Sequence, residues 1–525
     1  MQTPESRETS TAFPLVLGSP EQFAVIRDTV AAAGYTEAEI VRRCELVSIY
    51  RFATRRDGRT VATDIDSAFG VLMRLFLDHE ALPWEIVRAQ LGDTAAQALR
   101  ALGLVAEVRD GDLCMPTVLL YPTRSLLIVS DAASARDGSP MPVDVVFPAI
   151  TSNTGHFLAM LPETPTGDLL ELCAGTGIAA LDAARRCQHV WATDITERSV
   201  HFARFNVLLN DIPNATVAQG DLYDAVGDLA FDRIVAHPPY VPGRETVVIF
   251  RDGGEDGEQV TRGIVTGLPD RLRAGGTLHC TCAVTDRVDR PFEIRLREWL
   301  GEAASGFDVF FFQQATHGAT EYYLNRAIQG HEPWSDLESR CRLVQQLEIE
   351  RIVYGSFVVR RRTDADRHPP LTVRRRSTPQ ARGADVMRLV AREMAMAVPG
   401  MNDRILDLAL QVNPAMQFSL SHELVDGDWI ATECHLRLLN EFAVDASVSP
   451  WIAALLIRCD GARSPRQILA ELQEEGMAPD EPGVEAELAR LLLALAIKFV
   501  LVAPGEVASR PPGSSPALSR VALAG

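Results

Sequence analysis

A short turn, Ala236-His237-Pro238-Pro239-Tyr240, carries residues suited to holding a polar substrate group. Two consecutive prolines fix the backbone φ angles and remove two N–H donors, so their carbonyl oxygens remain as hydrogen-bond acceptors. His237 adds an imidazole nitrogen that can accept a hydrogen bond or take up a proton. Tyr240 adds an aromatic ring. The turn therefore predicts a site that aligns a hydrogen-bond donor for reaction, although His237 could also be a buried structural histidine.

Upstream of this turn, glycines and acidic residues follow predicted strands in a pattern typical of a nucleotide-like cofactor site. The run Glu171–Gly177, Glu-Leu-Cys-Ala-Gly-Thr-Gly, follows a buried strand and precedes a helix. Its glycines permit a tight turn and close approach of a ligand to the backbone. Asp194 ends the second strand, where a carboxylate can accept from both ribose hydroxyls, and Asp221 follows the third, where it can accept from an adenine amine. NAD is the competing cofactor, but the turn lacks the G-x-G-x-x-G pattern.

The elements that must position these residues alternate between strand and helix patterns over residues 150–362. This alternation predicts a Rossmann-like α/β domain with a seven-stranded, mainly parallel sheet. The last two predicted strands should pair antiparallel at one edge. The strands are Leu169–Leu172, His189–Thr193, Ala215–Ala218, Arg233–Ala236, Thr277–Ala283, Val309–Gln313 and Gly355–Arg361. Ligands of open α/β sheets bind at the carboxyl ends of such strands, which is where the candidate residues lie.

The same region resembles a class I methyltransferase that depends on S-adenosylmethionine (SAM). More narrowly, it is similar to the glutamine N5-methyltransferase family that modifies release factors. The matching motifs are Glu171–Gly177, Ala192–Ile195, Ala203–Asn206 with Asn210, Ala236–Tyr240, and Phe250–Gly257 with Arg262. The Gly-Gly-x-Asp-Gly stretch within Phe250–Gly257 is the narrower mark of the family.

The resemblance implies SAM as the cofactor. Glu171 would contact the methionine end of SAM or the backbone of the turn, Asp194 would bind the ribose, and Asp221 with Leu222 would hold the adenine. The cofactor-binding residues implied are Glu171, Cys173, Gly175, Thr176, Gly177, Asp194, Ile195, Asp221, Leu222 and His237. The catalytic residues implied are His237, Pro238 and Tyr240. In this pattern the first residue of the turn and the first proline carbonyl accept hydrogen bonds from an –NH2 group, while the tyrosine ring packs beside it.

His237 departs from the family, whose turn usually begins with Asn or Asp. A neutral imidazole can replace the amide or carboxylate oxygen as an acceptor. It can also take a proton, which an Asn amide cannot. The residue therefore keeps N-methylation open and raises O-methylation as a rival.

Mainly helical, winged-helix-like domains are predicted on both sides of the catalytic domain. In residues 1–149, three helices are followed by strands at Leu104–Val108 and Val118–Tyr121, with Asp110–Asp112 as the turn between them. Residues 363–382 are interpreted as a solvated arginine-rich linker, with an anionic-partner site as the alternative. Residues 383–502 contain a helix, an Asp460-Gly461 turn and a second helix capped by Ser464, which is similar to small peptide-holding winged-helix modules. Residues 503–525 are expected to be a disordered tail.

Composition limits the partners and the cellular setting. The 525 residues are 47% apolar, which is typical of a soluble protein of several domains. The net charge of −19 disfavours a nucleic-acid partner, which would need basic surface. No apolar run is long enough to span a membrane, and no signal peptide begins the chain, so we expect a cytoplasmic protein. No metal is expected, because the nine cysteines form no pair of C-x-x-C knuckles.

Three hypotheses of function remain at this point. The favoured one is transfer of a methyl group from SAM to an amide or amine nitrogen of a protein, peptide or peptide-like metabolite. The second is an O-methyltransferase of a secondary metabolite, with His237 as general base. The third is a binding module that kept the cofactor fold without catalysis. The sequence leaves a homodimer open.

Overall fold

The structure is a computed structural model that describes residues 13–54, 65–108, 112–132, 142–243, 248–329, 333–442 and 444–505. The predicted tail beyond residue 505 and the Asp110-Gly111 part of the predicted turn lie outside these residues. The described chain forms two compact units. The first runs to Asp364 and includes Pro370–Arg375 and Arg382–Ala384, and the second holds the remaining described residues. Among the described residues, no helix has the length and apolar character that a membrane crossing requires.

In its described residues, the N-terminal part of the first unit contains five α-helices and two small antiparallel sheets. The helices are α1 Pro20–Ala32, α2 Glu37–Arg43, α3 Ala68–Phe76, α4 Trp84–Leu91 and α5 Asp93–Ala101. The strands are β1 Leu82–Pro83, β2 Val105–Val108, β3 Leu113–Pro116, β4 Leu119–Thr123 and β5 Leu126–Ser130. Strand β2 pairs with β3, whereas β4 pairs with β5. The prediction that Val118–Tyr121 completes the first hairpin is therefore wrong, because β3 precedes it in the chain and pairs with β2.

The remainder of the first unit, which we call the α/β part, has a Rossmann-like α/β fold, as predicted. Its strands are β6 Thr166–Leu172, β7 Cys187–Asp194, β8 Ala215–Gln219, β9 Phe231–Ala236, β10 Leu272–Arg287, β11 Phe307–Gly318, β12 Ile349–Arg361 and β13 Thr372–Arg376. Its helices are α6 Ser152–Ala159, α7 Ile178–Ala183, α8 Glu197–Leu209, α9 Gln259–Thr266, α10 Leu268–Arg271, α11 Phe292–Trp299, α12 Ala319–Ile328 and α13 Trp334–Gln346. Short 3-10 helices cover Ile49–Thr54, Ala184–Arg186, Asp224–Val226 and Gly301–Gly306.

These strands form one sheet in the order β13-β11-β12-β10-β9-β6-β7-β8. The pairs β9–β10, β6–β9, β6–β7 and β7–β8 are parallel, while β12 is antiparallel to both β10 and β11. The chain therefore reverses its direction of travel across the sheet between β6 and β9. A crevice opens at the carboxyl ends of the strands at such a switch point.

The eighth strand, β13, corrects two predictions: the sheet has eight strands instead of seven, and part of the arginine-rich segment is not a solvated linker. Arg374 donates hydrogen bonds to both carboxylate oxygens of Asp286, at 2.7 and 2.6 Å, and to Glu293 at 2.9 Å. Arg360 and Arg362 lie close to the fully buried Asp308, at 3.2 and 3.0 Å. These arginines form ion pairs with carboxylates of the protein itself, and such pairs hold the segment against the edge of the sheet.

Two asparagines, Asn206 of α8 and Asn210 at its C-cap, attach the N-terminal part to the α/β part. The Asn206 amide oxygen accepts from the Val129 N–H at 2.8 Å, and its nitrogen donates to the carbonyls of Val129 and Thr176 at 3.1 and 3.0 Å. Asn210, one turn later, exchanges the same pair of bonds with Leu127 at 2.8 and 2.7 Å. Each side chain thus pairs with β5 as a neighbouring strand would. The boundary predicted at residue 149 does not separate two units.

The second unit mixes helices with a three-stranded sheet. Its helices are α14 Gly383–Met396, α15 Met401–Ile405, α16 Pro450–Arg458, α17 Pro465–Glu474 and α18 Val484–Ile497. Its strands are β14 Gln411–Val412, β15 Gln417–Val425, β16 Asp428–Leu438, β17 Val444–Val448 and β18 Leu501–Val502. The prediction of a mainly helical region overlooked β15–β17. Asp426 and Gly427 connect β15 to β16 with φ of 54° and 98°, and an Asp-Gly pair with two positive φ angles is typical of a hairpin turn.

Candidate active site

A cavity of about 1210 Å³ lies at the carboxyl ends of β6–β10. It exceeds the roughly 300–1,000 Å³ typical of a single small-molecule site, so it has room for a cofactor and a second reactant. Nearly all the predicted site residues line it: Glu171, Cys173, Gly175, Thr176, Asp194, Ile195, Asp221, Leu222, His237, Pro238 and Tyr240. Gly177 does not. We call the part around 171–176, 194–196 and 220–222 the cofactor half, and the part around 237–241 the acceptor half.

The glycine turn of the cofactor half follows β6 directly. Cys173, Gly175 and Gly177 have φ of 54°, 53° and 76°. A Cβ built on Gly175 would meet nothing within 4 Å, so that glycine leaves open space on the cavity side. A Cβ on Gly177 would lie 3.1 Å from Leu181 and 3.3 Å from Ala203. Gly177 therefore serves close helix packing, whereas Gly175 gives a ligand access to the backbone.

Glu171 lies at the base of the cofactor half and is only 3% exposed. Its two carboxyl oxygens accept from the backbone N–H groups of Ala179 and Ala180 at 3.2 and 2.7 Å. These are unpaired amides of the first turn of α7, where a carboxylate is stabilising. Burial outweighs these bonds and raises the pKa of Glu171 to about 8. The residue thus joins β6, α7 and the cavity wall.

Asp194 connects the end of β7 to the glycine turn. One carboxyl oxygen accepts from the Gly175 N–H at 2.9 Å, and the other accepts from the Thr196 N–H at 3.0 Å. Burial raises its pKa despite these bonds. The oxygen that accepts from Thr196 N–H also accepts from the Thr196 hydroxyl at 3.2 Å. The oxygen that accepts from Gly175 can accept a second hydrogen bond, so it keeps capacity for a ligand hydroxyl. Asp221 and Leu222 lie beside it on the cavity wall, and Leu222 has φ of 49°.

The Pro-Pro-Tyr turn of the acceptor half follows β9. The His237 ring stacks on Phe157 of α6 with centroids 5.2 Å apart, and lies 6.0 Å from the Tyr240 ring. Burial lowers the pKa of His237 to about 4, so the imidazole is neutral at physiological pH. The Tyr240 hydroxyl accepts from the side-chain amide of Asn153 at 3.0 Å, and burial raises the pKa of Tyr240 to about 12.

The Gly-Gly-x-Asp-Gly stretch packs directly on this turn. The Val241 N–H donates to the Arg251 carbonyl, and the Gly253 N–H donates to the Val241 carbonyl, both at 2.9 Å. A Cβ on Gly253 would lie 2.6 Å from the Pro239 carbonyl oxygen, and one on Gly257 would lie 2.6 Å from the Tyr240 carbonyl oxygen. Only glycine permits this approach, which gives a physical reason for the motif to accompany the turn.

A buried ionic network holds the stretch in place. Glu258, 1% exposed, accepts from the Thr285 N–H at 3.0 Å and from both terminal nitrogens of the equally buried Arg295, one at 2.9 Å. The neighbouring Asp256 accepts from Arg262 and Arg287 at 2.5 and 3.1 Å. Sequence reasoning missed Glu258 and Arg295 because their partners lie on distant elements.

The far wall of the acceptor half comes from β11, α12 and β12 and was also missed. It contains Ala315, His317, Tyr322, Tyr323, Arg326 and Tyr354. Three tyrosines and an arginine meet there although their positions share no local motif. The phenylalanines at 310–312, by contrast, are buried in β11.

Comparison with known proteins identifies the catalytic region. Residues 149–301 match the family model of the methyltransferase small domain. A ribosomal protein uL3 glutamine methyltransferase of Bradyrhizobium diazoefficiens is 31% identical over 161 residues, which are 28% of this chain and 50% of the relative. A release factor glutamine methyltransferase of Geobacter sulfurreducens is 28% identical over 123 residues, 21% of this chain and 43% of the relative. The chain thus spans half or less of the length of these two relatives.

These matches confirm the predicted resemblance for this region. The matched region is similar to class I SAM-dependent methyltransferases and, more narrowly, to the glutamine methyltransferases, and SAM is the cofactor that such a domain implies. The far wall lies outside the matched residues.

Proposed function

We propose that this protein transfers a methyl group from SAM to an amide nitrogen of a protein, peptide or peptide-like substrate. The observation that carries the proposal is the acceptor half: a neutral imidazole and proline carbonyls stand beside an aromatic ring at the end of β9, next to the cofactor half. Such acceptors orient a nitrogen through its own N–H groups.

The cofactor half suits SAM. Gly175 leaves the backbone open, Asp194 offers acceptor capacity for a ribose hydroxyl, and Asp221 with Leu222 would flank the adenine. Glu171 would face the amino group of the methionine end. When bound, SAM supplies a methyl group on a sulfonium, which is a strong electrophile.

The residues of the acceptor half would act mainly by alignment. His237 and the Pro238 carbonyl would accept from the substrate –NH2 group, and Tyr240 would pack against its planar face. The substrate nitrogen would gain the methyl group that SAM supplies, leaving SAM as a neutral thioether, and would release one proton to water. Alignment of this kind can account for about 7–11 kcal/mol of a reaction barrier.

The geometry gives less support to O-methylation with His237 as base. A general base works best with a pKa near the operating pH. Burial against Phe157 lowers the pKa of His237 to about 4, which leaves it a weak base at pH 7.

The proposal is tested by calorimetric titration with SAM, followed by transfer of labelled methyl to protein and peptide acceptors. Wild type should bind SAM, and Asp194→Ala should weaken binding at least about tenfold because two backbone N–H groups and the ribose lose their acceptor. Absence of SAM binding by wild type would overturn every methyltransferase interpretation. Binding without transfer to any acceptor would favour the non-catalytic module.

We also propose that the protein acts in the cytoplasm and that its flanking regions are winged-helix-like modules that bind the polypeptide substrate. In the second unit, Gly461 has φ of 83° and Ser464 forms a capping box with Gln467 at the start of α17, which supports the predicted helix–turn–helix. Helices α16, α17 and α18 share one hydrophobic core with β16 and β17, which supports the winged-helix class. Substitution of Trp429, 71% exposed on β16, by Ala should raise KM for a polypeptide and leave the SAM dissociation constant unchanged. An unchanged KM would count against this role.

A further inference from the structure

Three side-chain atoms on the wall of the cavity are buried and have no hydrogen-bond partner among the described residues. They are Nε2 of His237, the hydroxyl of Tyr354 and Oδ1 of Asp144. The first two belong to the acceptor half, where a substrate would meet them. Asp144 lies in the segment before α6 and is only 8% exposed. Proteins keep few buried polar atoms unpaired, so the position of Asp144 on the cavity wall points to a ligand.

The structure fixes Asp144 beside the cofactor half. Arg198, near the start of α8, donates to both carboxylate oxygens of Asp131 at 2.8 and 2.6 Å, and both side chains are buried. Asp131 also accepts from the Val146 N–H at 2.8 Å, which anchors the segment that carries Asp144. Burial disfavours the charged form of Arg198, but Asp131 and the charge of Asp144 raise its pKa overall. Asp144 therefore lies within electrostatic reach of the start of α8, three residues after Asp194.

Asp194 has room for only one of the two hydroxyls of a ribose. One of its oxygens already accepts from the N–H and the hydroxyl of Thr196, at 3.0 and 3.2 Å. The other accepts from the Gly175 N–H at 2.9 Å and can take one more donor. The second ribose hydroxyl of SAM therefore needs an acceptor from another part of the protein. An ionised carboxylate such as that of Asp144 is acceptor-only, which suits this role.

We propose that Asp144 accepts a hydrogen bond from one ribose hydroxyl of SAM, while Asp194 accepts from the other. The segment before α6 then completes the cofactor site, and Asp144 is a cofactor-binding residue outside residues 149–301, which match the family model. The inference rests on the proposed function, because it takes SAM as the ligand. The other donors of SAM have acceptors of their own, since Glu171 would face the amino group and Asp221 would flank the adenine.

The test is calorimetric titration of the full chain with S-adenosylhomocysteine and with its 2′-deoxy and 3′-deoxy forms. This ligand keeps the adenine, the ribose and the amino-acid end of SAM and has no methyl group to transfer. Asp144→Ala should raise its dissociation constant about tenfold, as expected for a lost hydrogen bond to a charged group. One deoxy form should bind wild type about tenfold more weakly than the parent ligand does, yet bind Asp144→Ala as tightly as the parent, because the variant has already lost that contact.

Two further variants and a stability measurement distinguish hydrogen bonding from charge and from folding. Asp144→Asn keeps an acceptor oxygen and should lose less than about threefold in affinity. Glu197→Ala is the matched control, because Glu197 is an exposed carboxylate on the same wall, and it should change the dissociation constant less than about twofold. Without ligand, Asp144→Ala should unfold at no lower denaturant concentration than wild type, since it removes an unpaired buried oxygen. A purely structural role of Asp144 would lower that concentration.

The outcomes separate the inference from the proposed function. Failure of wild type to bind either SAM or S-adenosylhomocysteine would overturn the proposed function. An unchanged dissociation constant in Asp144→Ala, with normal binding by wild type, would overturn the inference alone. An equal loss in Asp144→Ala for the parent ligand and both deoxy forms would overturn the assignment to the ribose. If Asp144→Ala does not fold, the wild-type series decides, and equal affinity of wild type for all three ligands would overturn the inference.

Discussion

The two halves of the cavity are built in opposite ways. The cofactor half consists of backbone turns and carboxyl groups that already hold protein N–H groups, as Glu171 holds Ala179 and Ala180. The acceptor half consists of side chains from distant elements, and two of its polar atoms are without partners among the described residues. A cofactor shared by many enzymes can be bound by a preformed backbone turn, whereas a particular substrate must be recognised by side chains. The difference predicts that substitutions can impair SAM binding and turnover separately.

Among the predicted substitutions, Gly257→Ala should show the largest difference between its effect on kcat and its effect on SAM binding. The new Cβ would lie 2.6 Å from the Tyr240 carbonyl oxygen and 3.0 Å from Pro242, so the Pro-Pro-Tyr turn must move. A displacement of about 1 Å can cost about 100-fold in rate. We expect kcat to fall about 100-fold while the SAM dissociation constant changes less than about threefold.

Gly227→Ala is the matched control for this change. Gly227 also has a left-handed φ, of 53°, but a Cβ there would meet nothing within 4 Å. With ψ of −129°, Gly227 has a conformation that L residues rarely adopt, so the change should cost about 1–3 kcal/mol of stability and leave kcat unchanged. A parallel loss of SAM binding in Gly257→Ala would show that the two halves form a single structural unit, which contradicts the comparison.

Glu171→Gln should have a smaller, pH-dependent effect on protein stability, and this effect concerns the cofactor half alone. The folded-state pKa of Glu171 is raised to about 8, above its ordinary value of 4.5. The stability from this group is therefore full below about pH 4.5 and is lost as pH rises towards 8. The shift sets an upper bound of about 5 kcal/mol on that loss. Glu171→Gln should unfold at a higher denaturant concentration than wild type at pH 9, with the difference shrinking or reversing at pH 5.

SAM binding provides a second test of the protonation state of Glu171. The amino group of the methionine end would favour the ionised carboxylate of Glu171, so binding at pH 7 should release a proton in wild type but not in Glu171→Gln. Calorimetry in buffers of different ionisation enthalpy measures this release directly. Equal proton release in both proteins would show that Glu171 does not face the cofactor's charge.

The same contrast explains how much of the site could be predicted. The cofactor half follows from short motifs at the ends of adjacent strands, so Glu171, Asp194 and Asp221 could be assigned from the sequence. Tyr354 and the α12 wall reach the site only because β11 and β12 pair across 11 register positions, which no local pattern encodes.

The differences between the predicted and the observed strands have similar physical causes. The arginines of β13 indicate a solvated linker, but Arg374 pairs with Asp286 and Glu293 from other elements. The β15–β16 hairpin, by contrast, could have been predicted, since Asp426-Gly427 lies between alternating strands. A local turn signal was overlooked there, whereas β13 depends on partners distant in the chain.

The smallest effect is expected for His237→Asn. The Asn oxygen can accept the same hydrogen bond from the substrate, and the main loss is the ring stacked on Phe157, worth about 0.5–1.5 kcal/mol. Turnover should therefore fall about three- to tenfold. Because the pKa of His237 is lowered to about 4, the wild-type rate should show no acidic limb from this residue between pH 5.5 and 8, and the two pH–rate profiles should be parallel. His279→Asn, which removes a buried imidazole outside the cavity lining, is the control for a general loss of packing. A loss above about 100-fold, with a limb near pH 6.5 present only in wild type, would mean that His237 carries a proton in the reaction and that the acceptor half does more than align its substrate.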